Sequence, residues 1–153
     1  MFRLDGKNIL ITGASRGIGA ATVRMAMAAG ANVVIHYGSS RANAEALAAE
    51  FPSDRTLLVG ANMLDQGEIE NLWDTAQAWH GGIDVLVNNA GVYEKNTLDL
   101  PLDDWLAGWD RTMQINLRSA AQLCRRAVLH FRERGTGGIL INEWSRAGHR
   151  GDS

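Results

Sequence analysis

Thr12-Gly13-Ala14-Ser15-Arg16-Gly17-Ile18-Gly19 stands between an apolar run, Asn8 to Thr12, and a segment rich in alanine and methionine, Ile18 to Ala29. The run reads as a strand and the segment as a helix, so the glycines fall in a strand-to-helix turn. That placement restricts the chain to folds in which a helix turns back onto the strand that precedes it. Gly13 permits the tight turn, Gly17 lets backbone approach an anion, and Gly19 lets the helix lie close to the sheet. The N-terminus of the helix brings free N–H groups and a partial positive charge, which suit a phosphate. A turn that binds nothing is the alternative; a strand before, a helix after and a second strand-helix unit beyond favour the phosphate site.

The alternation continues along the chain. Asn32 to Tyr37 is a β-branched run, Arg41 to Phe51 a helical segment, and Arg55 to Gly60 a further strand. Glu68 to Trp79 reads as helix, Ile83 to Val87 as a buried strand, Asp103 to Arg134 as one long helix, and Gly138 to Asn142 as a fifth strand. Trp105, Trp109, Met113, Leu117 and Ala121 recur every fourth residue on the long helix and mark a stripe suited to a core or a subunit interface. Parallel strands need crossover connections, so the order predicts a doubly wound α/β domain of Rossmann type. Its sheet is expected to be mostly parallel, with about five strands and helices on both faces. Residues 1–153 are expected to form a single dinucleotide-binding domain, there being no repeat or Pro-rich linker.

With a net charge of −2 the chain has no general attraction to nucleic acid or to an anionic membrane. No apolar run reaches the ~20 residues of a membrane span, and the N-terminus lacks the core of a signal peptide. Cys124 is the only cysteine, and His36, His80, His130 and His149 show no ligand spacing, so no metal site is expected. These features together predict a cytoplasmic protein.

The spacing G-x-x-x-G-x-G from Gly13 to Gly19 resembles the first turn of the short-chain dehydrogenase/reductase family, T-G-x-x-x-G-x-G. Asn88-Asn89-Ala90-Gly91 after the fourth strand looks like that family's N-N-A-G, and Asn116 matches its helix asparagine. Gly138 to Gly148 is similar to the family's fifth strand, serine and A-G, although Glu143-Trp144 stands where an apolar residue and a serine are usual. The resemblance implies hydride transfer between a nicotinamide dinucleotide and a small carbonyl or alcohol substrate, with 3-oxoacyl reduction one substrate class. It implies cofactor contacts from Gly13, Ser15, Arg16, Gly17, Ile18 and Gly19, and from Asn89, Ala90 and Gly91 beside the adenosine ribose. Asn62 and Met63 stand where it places adenine contacts, and the long helix is where it places the contacts of a homo-oligomer. Asn88 either touches cofactor or braces neighbouring strands.

An NAD-preferring site of this kind carries Asp or Glu at the end of the second strand. His36 to Arg41 contains no acid, while Arg16 and Arg41 are placed to pair with a 2′-phosphate. NADP(H) is therefore predicted over NAD(H), with Arg41 alternatively a solvated helix residue.

By the resemblance Ser145 orients the substrate oxygen and Asn116 supports a proton relay, while a Tyr-x-x-x-Lys pair supplies the acid or base. The tyrosines are Tyr37 and Tyr93 and the lysines Lys7 and Lys95, and no two of them form such a pair. The chain is expected to stop before that motif and to have little or no activity by itself. The other readings are a non-catalytic NADP-binding module, an inert fragment, and an interaction protein using the Trp105 helix and the open sheet edge. Glu143 is expected at an exposed chain end, and the fifth strand at a bare edge prone to association.

Overall fold

The computed structural model of the chain describes residues 3–145. Five parallel strands, β1 (Asn8–Ile11), β2 (Asn32–Tyr37), β3 (Thr56–Gly60), β4 (Val85–Asn88) and β5 (Ile139–Asn142), form one sheet in the order β3-β2-β1-β4-β5. The central strand β1 pairs with β2 through Ile11 and Ile35 and with β4 through Ile11 and Val87. Buried on both faces, β1, β2 and β4 read as continuous apolar runs, as parallel strands covered by helices do.

Alternate residues of each strand feed two separate cores. Ile9, Ile11, Val33, Ile35, Val85 and Val87 pack with Val23, Met27 and Leu47 of helices α1 (Gly17–Ala28) and α2 (Arg41–Ala48). Leu10, Val34 and Leu86 face the other way, onto Ile69, Leu72 and Trp73 of α3 (Gln66–Ala78) and Leu123, Ala127 and Phe131 of α5 (Ser119–Arg134). Each such apolar side chain contributes about 1.5–3 kcal/mol when fully buried. The doubly wound arrangement expected from the alternation is what the chain forms.

Local chemistry fixes the element ends. Asp65 accepts from the Glu68 amide at 2.9 Å and starts α3. Gly135, at φ +68°, ends α5 in the left-handed conformation. Arg55 donates to the carbonyls of Met27 and Ala31 at 3.1 and 2.6 Å, tying the end of α1 and the start of β2 to the segment before β3. Asp84 accepts from the Asn8 amide at 2.9 Å and from Arg134 at 2.8 Å, tying the start of β1 to the end of α5. Arg126 of α5 pairs with both Glu70 and Asp74 of α3.

Two expectations are corrected. The segment from Arg41 is helical only to Ala48, and Phe51 lies beyond it, packed against the core beside Pro52. The long helix is not uniform: α4 (Leu102–Met113) and α5 are joined by a turn of π-helix, Gln114–Arg118. Of the two settings expected for its stripe, core and subunit interface, core is set aside, since Trp109, Met113 and Leu117 are about half exposed and Gly108 is the one buried residue of α4.

Candidate functional site

All five strands point the same way, so the segments leaving their C-terminal ends gather along one edge of the sheet. The chain order reverses between β1 and β4, with β2 and β3 on one side of that line and β5 on the other. A crevice opens where neighbouring connections depart in opposite directions, and ligands of open α/β sheets sit there.

Two cavities meet at that line. One, of about 500 Å³, lies on the β2–β3 side and is lined by Gly13, Ser15, Arg16, Gly17 and Ile18, by Gly38, Ser39 and Ser40, and by Ala61, Asn62 and Met63. The other, of about 780 Å³, lies on the β4–β5 side and is lined by Asn116, Leu117, Ala120, Ala121 and Cys124 together with Asn142 to Ser145. Ile18, Asn89, Ala90, Gly91 and Glu143 line both.

The glycine turn closes the junction from above. Gly13 has φ +61°, and a side chain there would meet the Ala90 backbone at 2.8 Å, so only glycine lets the turn lie against the segment after β4. Gly19 is equally confined, by the Asn89 side chain at 2.5 Å and the Gly13 carbonyl at 2.6 Å. Gly17 differs: at φ +56° it has nothing within 4 Å of where a side chain would begin. Open space thus lies over the first turn of α1, whose Arg16 N-cap makes no side-chain capping bond. Its leading N–H groups are offered to an anion.

Three polar side chains brace this turn. The Thr12 hydroxyl accepts from the Asn89 and Ala90 amides at 3.0 and 2.9 Å. Asn89 donates its side-chain amide to the carbonyls of Thr12 and Gly13 at 2.7 and 3.0 Å. His36, buried in β2, accepts from the Gly13 amide at Nδ1, 3.0 Å away, and Nε2 lies 3.0 Å from the Ala61 carbonyl. Nδ1 accepts, so the proton sits on Nε2 and the ring is neutral. Burial pushes its pKa below the ordinary 6.5, partly opposed by the bond to Ala61. Neither Thr12 nor His36 stood out as a site residue in the sequence, because their roles depend on the register of β1 with β2 and β4.

The remaining expected residues fall in different places. Arg41 is not brought to the cavity: its guanidinium pairs with Glu45 one helical turn on, at 2.7 Å, and the cavity wall is made by Ser39 and Ser40 instead. Asn62 is exposed at the cavity rim, its side-chain oxygen accepting from the Leu64 amide. Met63 is buried there, and its carbonyl accepts from Gln114. Asn116 lies in the π-turn, and its amide group bonds the backbone of Val92 in both directions at 2.8 Å, holding the loop after β4. Asn88 donates to Asn142 at 2.8 Å and to Cys124 at 3.2 Å, which makes it a brace between β4 and β5. Burial pushes the Cys124 thiol up, disfavouring the reactive thiolate. Ser145 lines the larger cavity and has a partner of its own, whereas Gly148 lies outside the described residues.

Among the described residues no helix is long and apolar enough to cross a membrane, and no group of three or more His, Cys, Asp or Glu side chains is placed to hold a metal.

Comparison with known proteins agrees with this geometry. The chain is 40% identical over 152 residues to nodulation protein G of Rhizobium sp. strain N33, covering 99% of this chain and 60% of that protein. It is 36% identical over 155 residues to a 3-oxoacyl-[acyl-carrier-protein] reductase of Synechocystis, covering 99% and 61%. The fold superposes with TM-score 0.86 and 33% identity on a short chain dehydrogenase from Burkholderia cenocepacia in complex with NADP, covering 99% of this chain and 60% of that one. A 3-ketoacyl-(acyl-carrier-protein) reductase from Brucella melitensis complexed with NADH gives 0.85 at 31% identity, covering 97% and 61%. The chain thus spans about 60% of the length of the relatives it matches. The family model for short chain dehydrogenases matches residues 7–152, and the chain belongs to that family of oxidoreductases.

Proposed function

We propose that this chain holds NADP(H) across the β1–β4 crevice and serves hydride transfer between that cofactor and a small carbonyl or alcohol substrate. The observation that carries the reading is the meeting of the two cavities at the open N-terminus of α1, at Ile18 and beside the open space over Gly17. A dinucleotide is two nucleosides joined by a diphosphate. The diphosphate belongs at the α1 amides, the adenosine half in the β2–β3 cavity against Asn62 and Met63, and the nicotinamide half in the β4–β5 cavity near Asn116 and Ser145. The bound nicotinamide accepts or delivers the hydride.

Arg16 supports NADP over NAD. It is the one basic side chain lining either cavity among the described residues, and no acid stands at the end of β2 to receive a ribose 2′-hydroxyl. The short chain dehydrogenase from Burkholderia cenocepacia was solved with NADP and the Brucella melitensis reductase with NADH, so the fold accommodates both cofactors. The 3-oxoacyl reductase among the relatives suggests a 3-oxoacyl or similar ketone as substrate, and the cytoplasm is the proposed compartment.

A second reading is a nucleotide-binding module without turnover; within residues 1–153 no tyrosine stands four positions before a lysine, and the chain spans about 60% of its relatives' length. Tyr93 is exposed on a loop, and Lys7 lies beside Asp84 at the opposite end of the sheet. Calorimetric titration with NADPH beside a carbonyl-reduction assay tests both readings. Binding with turnover supports the first, binding without turnover the second, and no binding refutes both.

A further inference from the structure

Glu143 follows β5 directly, and its amide donates to the Asn88 carbonyl at 2.9 Å, extending the β4–β5 ladder by one residue. The backbone position is therefore fixed by the sheet, while the side chain is exposed and lines both cavities. The other residues shared by the cavities, Ile18, Asn89, Ala90 and Gly91, are all neutral. Glu143 is the one carboxylate lining either cavity among the described residues, and none of the ion pairs formed among them includes it. Among the described residues none that lines the larger cavity is basic, and Arg16 lines the smaller one. On the side of the larger cavity the described lining thus carries one negative charge, that of Glu143.

The two redox forms of a nicotinamide dinucleotide differ at the ring. The oxidised ring is a pyridinium cation and the reduced ring is neutral, whereas the phosphates and the adenosine half are alike in both. A fixed carboxylate beside the ring therefore acts on one form and not on the other, and a ligand-dependent preference can arise only from such a differential interaction. We infer that Glu143 makes this site bind the oxidised dinucleotide more tightly than the reduced one. The inference rests on the placing of the nicotinamide half in the β4–β5 cavity. A diphosphate at the α1 amides leaves that half one way to go, past Asn89 to Gly91 and the Glu143 carboxylate.

Three ligands separate the contributions: NADP+, NADPH, and 2′-phospho-ADP-ribose, which has the shared half and no ring. Their dissociation constants are measured for the wild-type chain, for Glu143→Gln, which removes the charge and keeps the shape, and for Glu143→Lys, which reverses it. An exposed charge interaction of this kind is worth up to about fivefold in affinity. Glu143→Gln is expected to weaken NADP+ by about that factor relative to NADPH, and Glu143→Lys by more. Binding of 2′-phospho-ADP-ribose should be unchanged by Glu143→Gln. Added salt should shrink the difference in the wild type and leave Glu143→Gln flat. If both nucleotides bind and their ratio is the same in all three proteins, the inference fails while the cofactor reading stands. If Glu143→Gln weakens the ring-less ligand as much as NADP+, the carboxylate acts elsewhere and the inference also fails. If no ligand binds, the cofactor reading falls and takes the inference with it.

Discussion

The Gly13 amide donates to Nδ1 of His36 at 3.0 Å, and the His36 carbonyl in turn accepts from the Ala14 amide at 2.8 Å. One residue at the end of β2 therefore holds two successive amides of the glycine turn, and it holds that of Gly13 only while Nδ1 is unprotonated.

A pH dependence follows from that requirement. Burial lowers the His36 pKa in the folded state, so the unfolded chain binds the proton more readily. The contribution of His36 is fully present above the ordinary value near 6.5 and is lost as pH falls from there toward the lowered folded value. His130 is pushed the same way by burial and by Arg134, and it adds to the loss. The melting temperature should fall between pH 7 and 5. His36→Asn keeps an acceptor for Gly13 and does not titrate, so it should remove part of that slope. An identical slope in the variant would rule His36 out as its source.

Gly13 and Gly17 should respond differently to the same substitution. Gly13→Ala puts a methyl against the Ala90 backbone at positive φ and is expected to cost about 1–3 kcal/mol. That corresponds to a fall in melting temperature of several degrees. Gly17→Ala has open space and meets only the backbone preference, about 1 kcal/mol. Its larger effect should be on nucleotide affinity, because the methyl enters the space over the α1 amides. Thermal melts beside a titration with NADPH distinguish the two outcomes.

Arg16 is expected to select the 2′-phosphate. Arg16→Ala should weaken NADPH on the order of tenfold, the worth of a charged hydrogen bond, and leave NADH nearly unchanged. Arg41→Ala, which breaks only the exposed pair with Glu45, should alter neither by more than about twofold. Equal losses for the two cofactors in Arg16→Ala would remove the basis for preferring NADP.

The outer face of α4 and of the π-turn after it carries Leu106, Trp109, Met113 and Leu117, each 40–54% exposed. Side chains of that size on one helix face make an apolar patch suited to a second copy of the chain. Sedimentation equilibrium should show a self-associating protein, and Trp109→Glu with Leu117→Glu should shift it to monomer without lowering the melting temperature of the monomer. A wild-type chain that is monomeric at high concentration would contradict this.

The parts of this fold legible in the sequence were those set by short-range pattern. Short apolar runs marked five strands in order, and Gly13, Gly17 and Gly19 marked the turn because backbone conformation is written into residue type. What long-range register decides was not legible. His36 and Thr12 brace the turn only because Ile11 pairs with Ile35 and Val87, and no local pattern announces that. For Arg41 the sequence left a ligand role and a solvated helix residue both open, and its exposed pair with Glu45 has the spacing at which helix side chains meet. The π-turn also left a trace: a stripe with a strict repeat of four drifts around an α-helix of 3.6 residues per turn, and the wider turn at Gln114–Arg118 takes up part of that drift.

The strand order has a kinetic consequence. The glycine turn follows β1, and its opposing wall, Asn89 to Gly91, arrives only after some 75 intervening residues have been laid down, as the spacing from Thr12 to Val87 shows. Closing so long a loop is entropically slow compared with pairing β1 to β2. Half a crevice therefore exists early and the whole of it late, so a nucleotide that needs both walls recognises only chains whose central sheet is complete. Ligand added during refolding should capture finished molecules and leave the rate at which they first appear unchanged.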